Sequence, residues 1–247
     1  MLFENRKMSE VKPYIHSEGT KKQQVEQMFD NISANYDMLN HLLSMQIDKG
    51  WRNKVVKKVQ ELNPKTIIDI ATGTGDLAIE LAKNTKAEIT GYDLSQKMLD
   101  VGIQKVNKLQ LNKQIKMIKG DAENIPFNAN SFDVATVSFG ARNFENLEAG
   151  LSEMRRVLNS NGKIFILEFS KPEGFFAPFF IFYFKYILPK IGQLISKDSR
   201  AYTYLPDSVE AFPYGEKLKN ILEKIGFSDV KFKKLTFGIA SIYEGTK

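Results

Sequence analysis

The chain has 247 residues, 43% hydrophobic and 26% charged, a composition that builds one large folded domain without staples. It contains no cysteine and only two histidines, His16 and His41, which excludes disulfides, thiolate nucleophiles, Cys-ligated zinc and a multi-histidine metal centre. The formal charge of +6 is spread over helix-like stretches such as 54–65, so the lysines read as solvated faces and no nucleic-acid partner is expected.

The first residues, MLFENRKMSEVKPY, hold no apolar run of signal-peptide length, and a cytoplasmic location is the expectation that follows. From Lys21 to Leu62 the pattern is helical, with breaks near Asn35 and between Ser44 and Gln46. Asn63-Pro64 ends it, because the proline ring disfavours helical backbone in the residue before it. Residues 1–62 are therefore expected to form a helical extension packed on a core spanning 63–247.

The period then changes. Thr66–Ile70 is a short β-branched run, and a strand, and a glycine turn leads from it into a helix over Leu77–Asn84. A strand over Ala87–Tyr92, a helix over Gln96–Leu109 and strands over Ile115–Lys119 and Phe132–Ser138 follow. Leu147–Leu158 reads as a helix and Lys163–Phe169 as a fifth strand. Strands alternating with helices at this spacing give an α/β fold with a mostly parallel sheet. Beyond an insertion at 171–210 come a helix over Tyr214–Ile225 and two strands, Asp229–Leu235 and Ile239–Glu244, around a short turn with Gly238. That closely spaced pair predicts an antiparallel hairpin at the sheet edge and a sheet of seven strands in all.

The run from Asp69 to Asp76, Asp-Ile-Ala-Thr-Gly-Thr-Gly-Asp, joins the first strand to its helix, where α/β sheets bind nucleotides. Gly73 and Gly75 let the backbone approach a ligand. Ala78 replaces the third glycine of a dinucleotide loop, and no lysine is present to grip phosphates. Asp93, at the end of the second strand, stands where a carboxylate accepts both ribose hydroxyls. Asp121 and Ala122, after the third strand, offer a carboxylate to an adenine amine and an amide to a ring nitrogen. Each has a plainer reading: Asp93 as a cap on the next helix, Asp121 as the closure of a turn. An acidic residue at the loop entrance, Asp69, suits a cationic sulfonium better than a pyrophosphate, and by elimination the site reads as one for S-adenosyl-L-methionine.

At Tyr36-Asp-Met-Leu-Asn40 with Ser44 and Trp51, at Phe139-Gly-Ala-Arg-Asn143, at Arg156-Val-Leu through Gly162 to Glu168-Phe-Ser170, and from Tyr202-Thr-Tyr-Leu to Pro213, the chain resembles the ubiquinone/menaquinone biosynthesis C-methyltransferases. The resemblance runs from about Lys21 to Lys247 and implies a Rossmann-like, class I methyltransferase fold. It also implies cofactor contacts at Thr72, Asp93, Asp121, Ala122 and Ser138, and C-methylation of a prenylated quinol ring. Demethylmenaquinol is the favoured acceptor and a methoxy-polyprenyl-benzoquinol the alternative. Two departures stand out: Asp48 where the family commonly has a histidine, so no role for that histidine carries over, and Asn159-Ser-Asn-Gly162 where it commonly has Lys-Pro-Gly-Gly, a turn in either case.

Eight aromatic residues lie between Phe175 and Tyr186. They read either as a core helix or as an apolar cap that receives the substrate and touches the membrane surface. The wider stretch from Gly174 to Ile195 is interrupted by Pro178, Lys185, Pro189 and Lys190, unlike a spanning helix. Arg142 is expected to stabilise a quinol oxyanion and Asn143 to orient the ring. Tyr202, Asp48, His41 and Glu210 are the candidates for proton removal, with Tyr202 taken into the catalytic set and Tyr36 beside it as a pocket residue. No metal is expected. The expected partners are the quinol, the membrane surface and, as an open alternative, a second copy of the chain. Competing readings are a methyltransferase for a sterol or fatty acyl chain, an NAD-dependent oxidoreductase, and a non-catalytic protein retaining the fold.

Overall fold

The computed structural model describes residues 8–14, 17–38, 44, 46–172, 174, 177–187 and 200–247, and for residues 181, 184, 185 and 200–202 the backbone alone. Helix α1 (Lys21–Ile32) opens with a capping box. The Thr20 hydroxyl accepts the Gln23 amide, and the Gln23 side chain accepts the Thr20 amide. Helix α2 (Ile47–Glu61) precedes β1 (Thr66–Ile70), α3 (Asp76–Asn84), β2 (Glu88–Asp93), α4 (Gln96–Lys108), β3 (Ile115–Lys119) and β4 (Phe132–Ser138). Then come α5 (Leu147–Val157), β5 (Leu158–Phe169), α6 (Ala177–Phe182), a π-helical turn (Tyr183–Ile187), α7 (Arg200–Ala211), α8 (Glu216–Ile225), β6 (Ser228–Leu235) and β7 (Ala240–Thr246).

The seven strands form one sheet in the order β3-β2-β1-β4-β5-β7-β6. β1 to β5 pair in parallel, and β7 pairs antiparallel with both β5 and β6. The edge hairpin is thus present, its turn being Thr236–Gly238. β5 departs from expectation by starting at Leu158, directly after α5. The Asn159–Gly162 turn lies inside the strand as a register shift opposite Phe132 and Val134, with Asn161 in left-handed backbone.

Period-2 alternation divides the core between the two sheet faces. Ile68, Val137, Ile164 and Ile166 meet Leu151 and Met154 of α5 and Leu218 and Leu222 of α8. Ile67, Val134, Phe165 and Leu167 meet Trp51, Val55 and Val59 of α2 and Leu77 and Leu81 of α3. The helix before residue 62 therefore packs directly on the sheet. A third, smaller cluster joins Val25, Met28 and Ile32 of α1 to Tyr204 of α7, with Tyr36 and Tyr183 against it. Among the described residues no helix is long and apolar enough to cross a membrane.

Strand order reverses between β1 and β4, each of which feeds a helix on a different face. That switch point opens a crevice at the carboxyl ends of the strands, and the candidate site lies there.

Candidate functional site

The β1–α3 loop is held from below. Asp69, almost fully buried, accepts the Thr72 and Thr136 hydroxyls, each at 2.6 Å. Both carboxylate oxygens are therefore engaged, and burial pushes the group up to about 6 despite those bonds. Asp69 and Thr72 do not line the cleft; they fix the shape of the loop that does. Gly75 turns in left-handed backbone, φ +80°, and a Cβ there would come within 2.4 Å of Met117 Cε. It too stands behind the cleft wall. Gly140, after β4, is needed for a different reason: its Cβ would meet the Ala71 Cβ at 2.3 Å, where the two strand-end loops touch.

The cleft itself brings together Gly73, Asp93, Asp121, Ala122, Ser138 and Asn143. Five carboxylates, Glu26, Asp93, Asp121, Glu123 and Glu145, face one ammonium, Lys22. In a chain of net charge +6 this is a local acidic field, suited to a cationic ligand. Asp93 accepts the Gly73 and Ser95 amides at 2.8 Å each. The cap of α4 is Ser95, whose hydroxyl accepts the Met98 amide, so Asp93 does not cap the helix itself but holds the capping residue, and the same carboxylate lines the cleft. Asp121 likewise closes a turn by accepting the Glu123 amide at 2.9 Å, while its other oxygen holds Lys22 Nζ at 2.6 Å.

Burial pushes Asp93 up to about 6, offset in part by its amide donors. The folded-state value lies above the ordinary 3.8, so this carboxyl favours folding fully below about pH 4 and that contribution is lost as pH rises through about 6. If Asp93 accepts the ribose hydroxyls as the sequence leads one to expect, that bond needs the ionised form. The affinity for S-adenosylhomocysteine, measured by calorimetry, is therefore expected to rise between about pH 5 and 7 and level off above. A flat profile over that range would show that no carboxyl of the cleft titrates on binding.

Sequence reasoning missed the role of α1. Lys22, Glu26 and Asp30, four residues apart, lie along one helix face and reach the ends of β2 and β3. Lys22 bridges Asp121 and Glu123, Glu26 pairs with Lys119 at 2.8 Å, and Asp30 accepts the Ser95 hydroxyl. Val25 and Phe29 turn inward to line the cleft with Tyr36. The amphipathic period marked a buried face, but charged residues at every fourth position read equally as solvated. Just beyond, the Thr74 hydroxyl donates to Asp37, and Lys105 binds both Asp37, at 2.7 Å, and Asp76.

Arg142 is no surface ion pair. Its guanidinium is buried, donating to Glu168 Oε1 at 2.8 Å and to the Phe139 carbonyl, and it stands 5.4 Å from the Phe169 ring centroid. Phe139 sits in left-handed backbone, φ +57°, an outlier for so bulky a residue, and packs on Phe169 at 4.6 Å and Trp51 at 6.0 Å. Lys21, also buried, donates to the carbonyls of Met8, Arg142 and Phe144, so that α1 clamps the Ala141–Asn143 turn. Burial, then the neighbouring Arg142, lowers its ammonium to about 8.

Of the candidate bases, Asp48 is consumed by Arg52 and the Ser44 hydroxyl, and Glu210 is exposed on α7. His41, His16 and the side chain of Tyr202 lie outside the described residues.

S-adenosylmethionine fits these residues on two observations. The Ser138 hydroxyl is buried at the cleft wall with no hydrogen-bond partner among the described residues, and the acidic lining complements a sulfonium and its ammonium group. The 3-2-1-4-5-7-6 sheet with its reversed seventh strand, and an acidic nucleoside cleft over the β1 loop, define a class I S-adenosylmethionine-dependent methyltransferase. Residues 17–247 match the ubiE/COQ5 methyltransferase family, and the chain belongs to that family. It is 46% identical over 245 residues to the demethylmenaquinone methyltransferase of Bacteroides fragilis, covering 98% of this chain and all of that one. It is 45% identical over 236 residues, 94% of this chain and all of the other, to the ubiquinone/menaquinone biosynthesis C-methyltransferase UbiE of Citrifermentans bemidjiense. Among solved structures, a SAM-dependent methyltransferase of Thermotoga maritima superposes with a TM-score of 0.62 at 20% identity, covering 90% and 99% of the two chains. The [4+2]-cyclase SpnF superposes at 0.66 with 15% identity, covering 92% and 96%. A cyclase on this fold shows that the architecture alone does not dictate methyl transfer.

Proposed function

We propose that the protein methylates a ring carbon of a prenylated quinol, with demethylmenaquinol as acceptor. The observation that carries this reading is the near-full-length identity to a demethylmenaquinone methyltransferase. When bound, S-adenosylmethionine supplies an electrophilic methyl group on a sulfonium. Asp93 would hold the ribose hydroxyls, Asp121 and Ala122 the adenine edge, and Gly73 and Ser138 the remainder of the cofactor. Asp69, Thr72 and Gly75 act one layer behind, by fixing the loop.

The acceptor lies against the turn after β4. There Asn143 orients the ring, and Arg142 lends positive character to the pocket that stabilises the developing ring oxyanion. The Arg142 Nε is buried and without a partner among the described residues, whereas Nη1 is spent on Glu168 and the Phe139 carbonyl. Tyr36, Phe139 and the α1 face exclude water, which strengthens these interactions. Phe179, Phe182 and Tyr186 are each more than half exposed, which supports a peripheral contact of the α6 region with the membrane where a prenylated substrate resides.

The test is acceptor preference: purified protein with methyl-labelled cofactor and, separately, reduced demethylmenaquinol and a reduced methoxy-polyprenyl-benzoquinol. Faster labelling of demethylmenaquinol is expected. Preference for the benzoquinol would move the protein to the other branch of the reading, and failure with both would reject a quinol acceptor.

A further inference from the structure

Buried polar atoms are nearly always hydrogen-bonded, so the exceptions call for an explanation. Five occur among the described residues, and three of them, Ser138 Oγ, Arg142 Nε and Asn143 Oδ1, belong to the end of β4 and the turn that follows it. A fourth is the hydroxyl of Tyr204, a residue only 4% exposed. Tyr204 comes from a distant part of the chain, yet α7 packs on the Ala141–Asn143 turn, and the hydroxyl feels the charges of both Arg142 and Glu168. It shares an apolar cluster with Val25 and Met28, and with Tyr36 of the cofactor cleft and Tyr183 of the aromatic segment. Tyr204 therefore stands behind Tyr36 of the cleft wall, between the Arg142 turn and Tyr183 of the aromatic segment.

We propose that Tyr204 is an acceptor-binding residue whose hydroxyl donates a hydrogen bond to a ring oxygen of the quinol, alongside Asn143. The inference rests on the quinol reading above. Burial pushes the phenol well above its ordinary value, so it stays protonated and serves as a donor rather than as a base. Left unmade, the bond costs the folded protein the desolvation of the hydroxyl; made, it rewards the presence of an acceptor oxygen in the pocket. A site that hydrogen-bonds a substrate hydroxyl also discriminates against ligands lacking one.

The assignment predicts a split between stability and activity in Tyr204→Phe. Removing an unpartnered buried hydroxyl is expected to leave the thermal midpoint unchanged or raised, and the calorimetric affinity for S-adenosylhomocysteine unchanged. The kcat/KM for reduced demethylmenaquinol is expected to fall about 10- to 100-fold, the loss of one hydrogen bond to an oxyanion-like oxygen. A kcat/KM within about twofold of wild type would overturn the assignment. So would a lowered midpoint, which would mean that the hydroxyl has a structural partner in the free protein. Wild-type transfer measured alongside separates the two readings: an unimpaired variant overturns the Tyr204 assignment alone, whereas a wild type that methylates no quinol overturns the quinol reading and this assignment with it.

Discussion

Arg142→Ala is expected to destabilise the fold by about 3–5 kcal/mol, because it strands a buried carboxylate without its counter-ion. Glu168 is fully buried, and the guanidinium at 2.8 Å is the ion pair that compensates it. The amides of Arg142 and Phe169 still donate to Glu168, at 3.3 and 2.9 Å, and soften the loss without removing it. For a domain of this size the thermal midpoint should drop on the order of 10 °C. Turnover falls as well, so the single variant mixes two effects. Arg142→Met combined with Glu168→Gln separates them: an uncharged pair of similar volume is expected to recover most of the midpoint and none of the turnover. Recovery of turnover with the midpoint would show that Arg142 serves the fold alone. Thermal unfolding and a methyl-transfer assay on the same preparations decide it.

Asp93→Ala carries the second large effect. The carboxylate joins the β1 loop to the end of β2 through the Gly73 and Ser95 amides and is the group proposed to accept the ribose hydroxyls. Hydrogen bonds to an ionised group are worth about 1.5–3 kcal/mol each, so losing two should weaken S-adenosylhomocysteine binding at least about 100-fold. The backbone fold should survive, since the sheet around Tyr92 is fixed by apolar burial on both faces. Asp93→Asn keeps the shape and an acceptor oxygen and should lose less. Equal affinity in all three proteins, measured by calorimetry, would remove Asp93 from the cofactor site.

The sheet was legible in the sequence because burial in a parallel sheet imposes its own signature: short β-branched runs, each followed by a turn and an amphipathic helix. β5 misled at its start. Asn159–Gly162 has turn chemistry, yet β4 pairs with β5 on both sides of it, Phe132 with Leu158 and Val134 with Lys163, and the extra residues are absorbed as an irregularity. The cleft was half legible. Glycine-rich loops and strand-end acids have fixed positions relative to the sheet, so Gly73, Asp93, Asp121 and Ala122 fall together where expected. Asp69 and Thr72 fall on the expected loop but outside the cleft lining, and strand periodicity does not say which side chains face a ligand and which face the neighbouring strand.

Contacts across long sequence separations left no local trace. Lys21 clamping the Arg142 turn spans 121 residues, and Lys22 reaching Asp121 spans 99. Both lysines look like ordinary solvated helix residues in isolation. Tyr204 illustrates the same limit: two tyrosines lie two residues apart in the Tyr202–Tyr204 motif, and only packing of α7 against α1 reveals that the second is buried with an unpaired hydroxyl. Arg142 and Glu168 were each visible in a motif, but their pairing, which converts an expected lone cation into half of a buried ion pair, required β4 and β5 to be neighbours.

Methyl transfer to carbon and to oxygen leave the label on different atoms, so the position of the transferred methyl distinguishes them. Reduced demethylmenaquinol is incubated with the protein and ¹³C-methyl-labelled cofactor, and the attachment of the label is read by carbon NMR and fragment masses. Label bonded to a ring carbon is expected. Label on a ring oxygen, or none on the quinol while the cofactor binds, would contradict C-methylation.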